Sequence, residues 1–274
     1  MSSTPADILR RHHLKPKKEW GQNFLGDDNI LESIAEACSL TKEDAVVELG
    51  AGLGHLTRHL AATGAQVTAV ERDRELVAVL ELELKLPNVK VLAANAAELD
   101  FAKVAGVPKA VVCGNLPYHL SSTILFEVLD QRATVSRAVF LLQKEVAERI
   151  AAGPGGRDYG LLSVLLQAYA EVELLFVVHP GSFLPPPKVD SAVVRIDVLP
   201  KPRADVKDHA RFVKLVKAAF SMRRKILLNG LKSDKTLGDA ATLQQALATA
   251  GIDPLRRAET LSAAEFAAIE RALP

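Results

Sequence analysis

Residues 111–120, VVCGNLPYHL, join an apolar run to a short segment with an unusual set of functional groups. Asn115 has a carboxamide whose oxygen accepts hydrogen bonds, and Pro117 has no backbone N–H to donate. Leu116 adds a backbone carbonyl between them, and Tyr118 adds an aromatic ring directly afterwards. Such a segment suits a site that accepts hydrogen bonds from a planar amine.

A glycine-rich turn, VVELGAGLGHLT (residues 46–57), joins an apolar run to an amphipathic stretch. Gly50 and Gly52 let the backbone pass close to a ligand because they carry no Cβ. Glu71 comes 21 residues after Gly50, where an acidic side chain binds ribose hydroxyls in nucleotide-binding sheets. The G-x-G-x-x-G fingerprint is incomplete, since its sixth position is His55, so we predict a nucleoside rather than a pyrophosphate. A tight strand–helix turn explains the same glycines without a ligand.

Two more polar residues belong to this predicted edge. Glu48 precedes the first glycine and faces the same crevice, and Asn95 follows the third apolar run, in LAANAAELD (residues 92–100). Ligands of open α/β sheets lie across the carboxyl ends of the strands, so we expect Asn95 near a bound base. A turn-forming asparagine is an equally good interpretation of the local sequence.

The apolar runs that read as strands alternate with amphipathic, helix-like stretches. They are residues 45–49, 66–71, 89–92, 109–114, 137–143, 173–179 and 192–198. This alternation predicts a mostly parallel sheet with helices on both faces. Only a loop separates the last two runs, so we expect an antiparallel pair at one edge.

Helical periodicity replaces the strand pattern after the proline-bearing segment LPKPRAD, residues 199–205. We therefore predict an α/β domain over residues 1–199, with seven strands in a Rossmann-like arrangement. A small helical domain is expected over residues 200–274.

The composition is that of a soluble globular protein: 49% of the 274 residues are hydrophobic and 24% are charged. We expect a cytoplasmic protein without a membrane segment, because no apolar stretch is long enough to span a bilayer and no signal-peptide core is present. Two cysteines without a C-x-x-C spacing argue against a disulfide framework or zinc site. His55 and His59 have no evident third ligand, so no metal is predicted.

The net charge is only +1, but basic residues are concentrated at the two ends. Residues 1–25 hold five Lys or Arg and two acidic residues, and residues 201–274 hold fourteen and eight. An acidic middle with basic ends can still present a positive face to a nucleic acid. Ordinary solvated helices explain the same distribution.

Eight sequence blocks occur in the order found in one enzyme family. They are GQNFL, ELGAGLGHLT, VERD, GNLPYHLSS, LLQKEVAERI, YGLLSVLLQ, FLPPPKVDSAVVRI and AFSMRRKILLNGL. Together they resemble the small-subunit ribosomal RNA adenine N6,N6-dimethyltransferases, from about His13 to the C-terminus.

This resemblance implies a Rossmann-like methyltransferase domain that uses S-adenosyl-L-methionine and needs no metal. The family binds the cofactor through residues that correspond to Asn23 and Leu25, Gly50 and Gly52, Glu71, Asn95 and Asn115. Position 95 is usually an aspartate in the family, so we expect weaker cofactor affinity here, because an amide oxygen is a weaker acceptor than a carboxylate.

The implied substrate is 16S ribosomal RNA in the small ribosomal subunit, and the targets are two adjacent adenosines near its 3′ end. We expect the enzyme to be a monomer. Asn115 Oδ1 and the Leu116 carbonyl would accept the two N6 hydrogens, Pro117 would shape the turn, and Tyr118 would stack on the base. Phe183 forms the opposite wall of the pocket or, alternatively, packs in the core.

RNA affinity is expected from the basic ends of the chain. The residues are those of the segment 10–18 and, in the helical domain, Arg211, Lys214, Lys217, Arg223, Arg224 and Lys225.

Two other functions compete with this interpretation. Large-subunit resistance methyltransferases resemble the first domain, but they are markedly basic throughout. A non-catalytic RNA-binding or transcription factor on the same fold is disfavoured by the intact cofactor turn and the intact NLPY segment.

Overall fold

A computed structural model describes residues 3–222 and 224–274, with the side chain of Lys18 excepted. The chain forms two compact units. The first runs up to Ala147 and resumes over Glu173–Val198, and the second holds Glu148–Val172 together with Leu199–Pro274. The predicted boundary at residue 199 coincides with one division, whereas residues 148–172 belong to the helical unit rather than to the α/β domain.

The reason lies in how the segment 148–172 satisfies its polar and apolar groups. The backbone N–H of Gly155 donates to the Glu259 carbonyl at 2.7 Å, and the Tyr169 ring packs edge-on against Phe212, with 6.4 Å between ring centroids. These partners lie about 40 to 100 residues further along the chain. A unit that the chain enters twice cannot be recognised from a single change of local pattern.

In the described part of the chain, the sheets contain the seven predicted strands and two short ones. The strands are β1 (Phe24–Leu25), β2 (Ala45–Leu49), β3 (Gln66–Glu71), β4 (Val89–Ala93), β5 (Ala110–Asn115), β6 (Val135–Gln143), β7 (Ala170–Val178), β8 (Phe183–Leu184) and β9 (Ser191–Val198). Seven form one sheet in the order β4-β3-β2-β5-β6-β9-β7. β2 to β6 run parallel, and β9 lies antiparallel to β6, beside the edge strand β7. The predicted fold class is confirmed.

The helices alternate with the strands in the first unit and predominate in the second. Those of the first unit are α1 (Pro5–Arg11), α2 (Asp28–Ala37), α3 (His55–Ala62), α4 (Arg74–Glu83), α5 (Phe101–Ala105) and α6 (Ser121–Asp130), and α7 (Lys144–Ala151) runs across the division. Those of the second unit are α8 (Leu161–Gln167), α9 (His209–Phe220), α10 (Leu227–Leu231), α11 (Ala240–Thr249) and α12 (Ala263–Ala272). Within the described ranges, no helix has the length and apolar character needed to cross a bilayer.

The register of the parallel strands brings their carboxyl ends to one edge. Leu49 in β2 lies opposite Val70 in β3, and Glu71 lies opposite Ala93 in β4. β2 is buried along its whole length, so a fully packed strand supports this edge of the sheet. The residues that follow β2, β3, β4 and β5 therefore surround a common space.

Gly114 permits the close approach of β5 to β2 just before this edge. A Cβ at Gly114 would lie 2.3 Å from the Leu49 carbonyl oxygen. Real Cβ atoms do not approach oxygen so closely, so any side chain here would force the two strands apart.

We expect Gly114→Ala to lower the free energy of unfolding by about 1–3 kcal/mol, the range for overpacking a dense interior. Urea unfolding measures this change, and Gly181→Ala is the matched control because a Cβ there meets no atom within 4 Å. Equal stability of Gly114→Ala and the parent chain would contradict the close approach.

Candidate active site

A cavity of about 310 Å³ lies at the carboxyl edge of the parallel strands. This volume is at the lower end of the range for small-molecule sites. Its lining includes ten of the residues predicted from the sequence: Asn23, Leu25, Gly50, Gly52, Glu71, Asn95, Asn115, Leu116, Pro117 and Tyr118. All belong to the first unit. The cavity therefore brings together the N-terminal segment, the glycine turn and the ends of β3, β4 and β5.

The glycine turn has the left-handed backbone that its composition predicts. Gly50 has φ 74° and Gly52 has φ 57°, conformations that residues with a Cβ rarely adopt. The Gly50 N–H donates to the Val70 carbonyl at 2.9 Å, which holds the turn against the end of β3. At these two glycines the turn therefore presents backbone without a Cβ to the cavity.

The carboxylate of Glu71 is buried and already accepts three backbone hydrogen bonds. Gly52 N–H donates to Oε2 at 2.9 Å, and the N–H groups of Arg72 and Asp73 donate to Oε1 at 2.7 and 2.9 Å. Burial raises the pKa of Glu71, and these backbone donors oppose the shift. A carboxylate offers about four acceptor positions, so one is left for a ligand hydroxyl.

Both ends of the Asn95 amide have partners in its own loop. Its Oδ1 accepts a bond from the Ala97 N–H at 3.3 Å, and its Nδ2 donates to Glu98 Oε1 at 2.6 Å. Asn95 therefore has the predicted turn role and also lines the cavity. The donation to Glu98 gives a local reason for asparagine here, because an aspartate would face a second carboxylate.

Asn115 is oriented by a backbone carbonyl from the N-terminal segment. Its Nδ2 donates to the Asn23 carbonyl at 2.9 Å. This bond occupies the amide nitrogen and makes Oδ1 the end that is available as an acceptor. The turn that follows is closed by a bond from the Leu120 N–H to the Pro117 carbonyl at 2.9 Å.

Tyr118 is half-buried, and its hydroxyl lies 2.8 Å from Ser191 Oγ, at the start of β9. Burial raises the pKa of the Tyr118 phenol, and the bond to Ser191 opposes the shift. The ring therefore keeps a neutral hydroxyl that fixes its outer end.

Phe183 has the core position that was the alternative interpretation. It lies in β8, opposite Leu25 in β1, and its side chain packs with buried residues such as Val178 and Val193. It is not among the described residues that line the cavity. Two-residue strands are too short to show an alternating pattern, so the sequence could not reveal that β1 and β8 pair and bury it.

The sequence matches the family model for ribosomal RNA adenine dimethylase over residues 13–273. A protein of Myxococcus xanthus (strain DK1622) named ribosomal RNA small subunit methyltransferase A is 62% identical over 270 residues, which cover 98% of this chain and 95% of that protein. A protein of the same name from Anaeromyxobacter sp. (strain K) is 55% identical, with 98% of both chains covered.

The chain belongs to the ribosomal RNA adenine dimethylase family. The resemblance drawn from the eight sequence blocks is thereby confirmed. Among solved structures, a dimethyladenosine transferase from Plasmodium falciparum is 25% identical with a TM-score of 0.78, covering 90% of this chain and 95% of that one. The 23S rRNA methyltransferase ErmE is 26% identical with a TM-score of 0.70, covering 91% and 99%.

In this member of the dimethylase family, part of the site was not recognised from the sequence. Lys17, Trp20 and Gln22 precede the predicted Asn23, and Trp20 and Gln22 line the cavity. Gln22 Nε2 donates to Asp73 Oδ2 at 2.9 Å. GQNFL contains Gln22 and VERD contains Asp73. Nothing in either block indicates that these two residues, 51 positions apart, form a hydrogen bond.

Two cations of the basic N-terminal stretch, which is expected to supply RNA affinity, form ion pairs within the protein. Arg11 Nη1 lies 2.6 Å from Glu83 Oε1, and Lys17 Nζ lies 2.8 Å from Asp73 Oδ2. These cations are engaged within the first unit. The side chain of Lys18 lies outside the described residues.

In the second unit, one of the basic residues expected to supply RNA affinity also forms an internal ion pair. Arg211 Nη2 lies 3.0 Å from Glu270 Oε1, and Glu270 is fully buried. Arg224 and Lys225 are exposed, whereas Arg223 lies outside the described residues. Arg211 is therefore a structural cation of the helical unit.

No group of three or more His, Cys, Asp or Glu side chains is arranged to hold a metal ion in the described part of the chain.

Among the described carboxyl groups that line the cavity, Glu48 has the largest shift in pKa. It is 2% exposed, and Thr57 Oγ1 donates to its Oε2 at 2.6 Å. Burial raises the pKa of Glu48 to about 8. Between the ordinary value of 4.5 and about 8, the folded protein keeps a proton that the unfolded chain has released. Stability must fall as pH rises through this window.

We expect Glu48→Gln to remove a loss of up to about 1.4 kcal/mol per pH unit between pH 5 and 8. Urea unfolding at several pH values, without added ligand, measures the slope. Glu43→Gln changes an exposed carboxylate and serves as the control. An identical pH dependence in Glu48→Gln and the parent chain would refute the raised pKa.

Proposed function

We propose that this protein transfers methyl groups from S-adenosyl-L-methionine to the N6 amines of adenosines in 16S ribosomal RNA. The products are N6,N6-dimethyladenosines, at two adjacent positions near the 3′ end. The observation that carries the proposal is the oriented amide of Asn115, whose acceptor end is left available at the cavity beside the Tyr118 ring.

The cavity walls fit the proposed cofactor. Gly50 and Gly52 supply a backbone surface with positive φ, and Glu71 retains one acceptor position for a ribose hydroxyl. Asn23 and Leu25 would hold the methionine moiety and the nucleoside, and Asn95 would contact the adenine of the cofactor. When bound, S-adenosylmethionine supplies an electrophilic methyl group on its sulfonium.

The residues of the NLPY turn prepare the attacking amine. The lone pair of adenine N6 is delocalised into the ring, so a planar amine is a poor nucleophile. Asn115 Oδ1 and the Leu116 carbonyl accept its two hydrogens and favour a pyramidal nitrogen with an available lone pair. Pro117 contributes no competing N–H. No general base is required, because the methylated product loses its extra proton readily to water.

Tyr118 holds the target base. Stacking of a base on an aromatic ring contributes about 1–3 kcal/mol, which offsets part of the cost of taking the base out of its stack. The bond between its hydroxyl and Ser191 keeps the ring in one orientation. Positioning of this kind is the main contribution an enzyme makes when the methyl donor is already reactive.

The substrate assignment is supported by the relatives at 62% and 55% identity, both named for the small subunit. ErmE, a 23S rRNA methyltransferase, shares the fold at 26% identity. The intact acceptor turn disfavours a non-catalytic role. A cytoplasmic location, a monomeric state, the absence of a metal and an RNA-binding role for the second unit stay predictions.

We expect Asn115→Ala to lower the single-turnover rate of methyl transfer by about 10²–10³-fold, the effect of removing one preorganised transition-state hydrogen bond. Affinity for the small subunit should change little, because this bond strengthens only as the amine pyramidalises. Quenched-flow assays on purified small subunits that lack the modification measure the rate.

Tyr118→Ala is the companion variant, and it should weaken both subunit binding and rate because the base loses its stacking partner. A wild-type rate for Asn115→Ala would exclude the acceptor mechanism. Methylation of large-subunit RNA in place of small-subunit RNA by the parent enzyme would exclude the substrate.

A further inference from the structure

The segment 17–25, which we call the N-terminal strap, forms one wall of the cavity and is anchored at both ends. Its residues from Glu19 to Leu25 line the cavity. At its end, Phe24 and Leu25 pair with β8. At its start, Lys17 Nζ lies 2.9 Å from Asp73 Oδ1. The strap therefore spans the site between two fixed points.

Gln22 connects these anchors to the middle of the strap. Its Oε1 accepts a bond from the Lys17 N–H at 2.8 Å, and its Nε2 donates to Asp73 Oδ2 at 2.9 Å. Both ends of this amide are thus engaged. Asp73 is only 3% exposed, so the bond is protected from competing water.

Asp73 also belongs to the loop that carries Glu71. Its N–H donates to Glu71 Oε1 at 2.9 Å, and its Oδ1 accepts from the Glu75 N–H at 3.1 Å, which caps α4. The same side chain therefore touches the strap and the start of a helix. Asp73 is therefore a fixed hydrogen-bond partner to which the strap is attached.

The residue after Gln22 supplies the carbonyl that orients Asn115. Asn23 is held by a bond from its Nδ2 to the Gly21 carbonyl at 3.1 Å, and its own carbonyl accepts from Asn115 Nδ2 at 2.9 Å. Displacing the strap would remove that acceptor. The Asn115 amide could then rotate and present its NH₂ group, a donor, to an amine that also donates.

We propose that Gln22 and Asp73 are positioning residues that hold the strap so that the Asn23 carbonyl selects Oδ1 of Asn115 as the acceptor for the substrate amine. The inference rests on the proposed function, since it assigns how the same amide is prepared. Gln22 and Asp73 act through Asn115, and neither touches the reacting atoms.

The strap carries a built-in reporter. Trp20 is the one tryptophan of the sequence, and its ring lies 5.2 Å from Lys17 Nζ and 5.3 Å from Arg72 Cζ. Because Trp20 also lines the cavity, its fluorescence reports both the state of the strap and cofactor binding.

The test compares Gln22→Ala and Gln22→Glu with Glu75→Gln. Gln22→Glu keeps the size but places a carboxylate against Asp73, so it separates a donor role from a packing role. Glu75 is the exposed second partner of Lys17, and its loss leaves the Gln22–Asp73 bond intact. Single-turnover methyl transfer is measured at saturating S-adenosylmethionine and small subunit, and Trp20 fluorescence gives cofactor affinity.

Both Gln22 variants should lower the saturated rate about 10- to 100-fold, the scale for a small misplacement of a catalytic group. Glu75→Gln should retain the parent rate. In the Asn115→Ala background the Gln22 changes should add no further loss, because the amide they orient is absent.

Parent-like rates for both Gln22 variants at saturating cofactor, or losses that multiply independently with Asn115→Ala, would overturn this inference while the proposed function stands. A parent-like rate for Asn115→Ala would remove the proposed function and this inference together. Thermal melts and the Trp20 emission spectrum establish that each variant is folded.

Discussion

The hydrogen bond from Asn115 Nδ2 to the Asn23 carbonyl is the contact on which the proposed chemistry of this site depends. A carboxamide has a donor end and an acceptor end of nearly the same shape, and only its partners decide which one a substrate meets. Here a backbone carbonyl, which can only accept, takes the nitrogen. In the proposed mechanism, an amine substrate therefore meets the amide oxygen. An aspartate at position 115 would place a carboxylate oxygen against that carbonyl and lose the bond.

The acceptor arrangement requires two parts of the chain that are far apart in sequence to meet with close tolerances. Asn115 is carried by β5, which approaches β2 so closely that a Cβ at Gly114 would overlap the Leu49 carbonyl. Asn23 is carried by the strap, which is held at Asp73 and by its pairing with β8. Rigid supports on both sides suit a reaction in which the enzyme contributes mainly alignment.

Two buried carboxyl groups, Glu48 and Glu71, line the same cavity, and they differ in their hydrogen-bond partners. Glu71 accepts three backbone donors, which favour its charged form, whereas Glu48 has a single hydroxyl partner and a pKa of about 8. On this wall, backbone donors thus oppose the rise that burial causes in the pKa of Glu71, whereas Glu48 is mostly protonated near pH 7. Charged side chains outside the cavity also pair within the protein: Arg11 and Arg211 form ion pairs within their own units.

The sequence by itself determined the strands, the glycine turn and the chemical character of the edge, because these depend on local periodicity and on residues without a Cβ or an N–H. It also placed Glu71 and Asn115 at the same edge of the sheet, since parallel strands must end at one edge. Only the tertiary structure decided that Phe183 packs in the core, that segment 148–172 belongs to the helical unit, and that Arg211 forms an ion pair with Glu270. The contacts among Gln22, Asp73, Asn23 and Asn115 likewise depend on packing between residues 51 to 92 positions apart. No local pattern records which distant partner a polar side chain will meet.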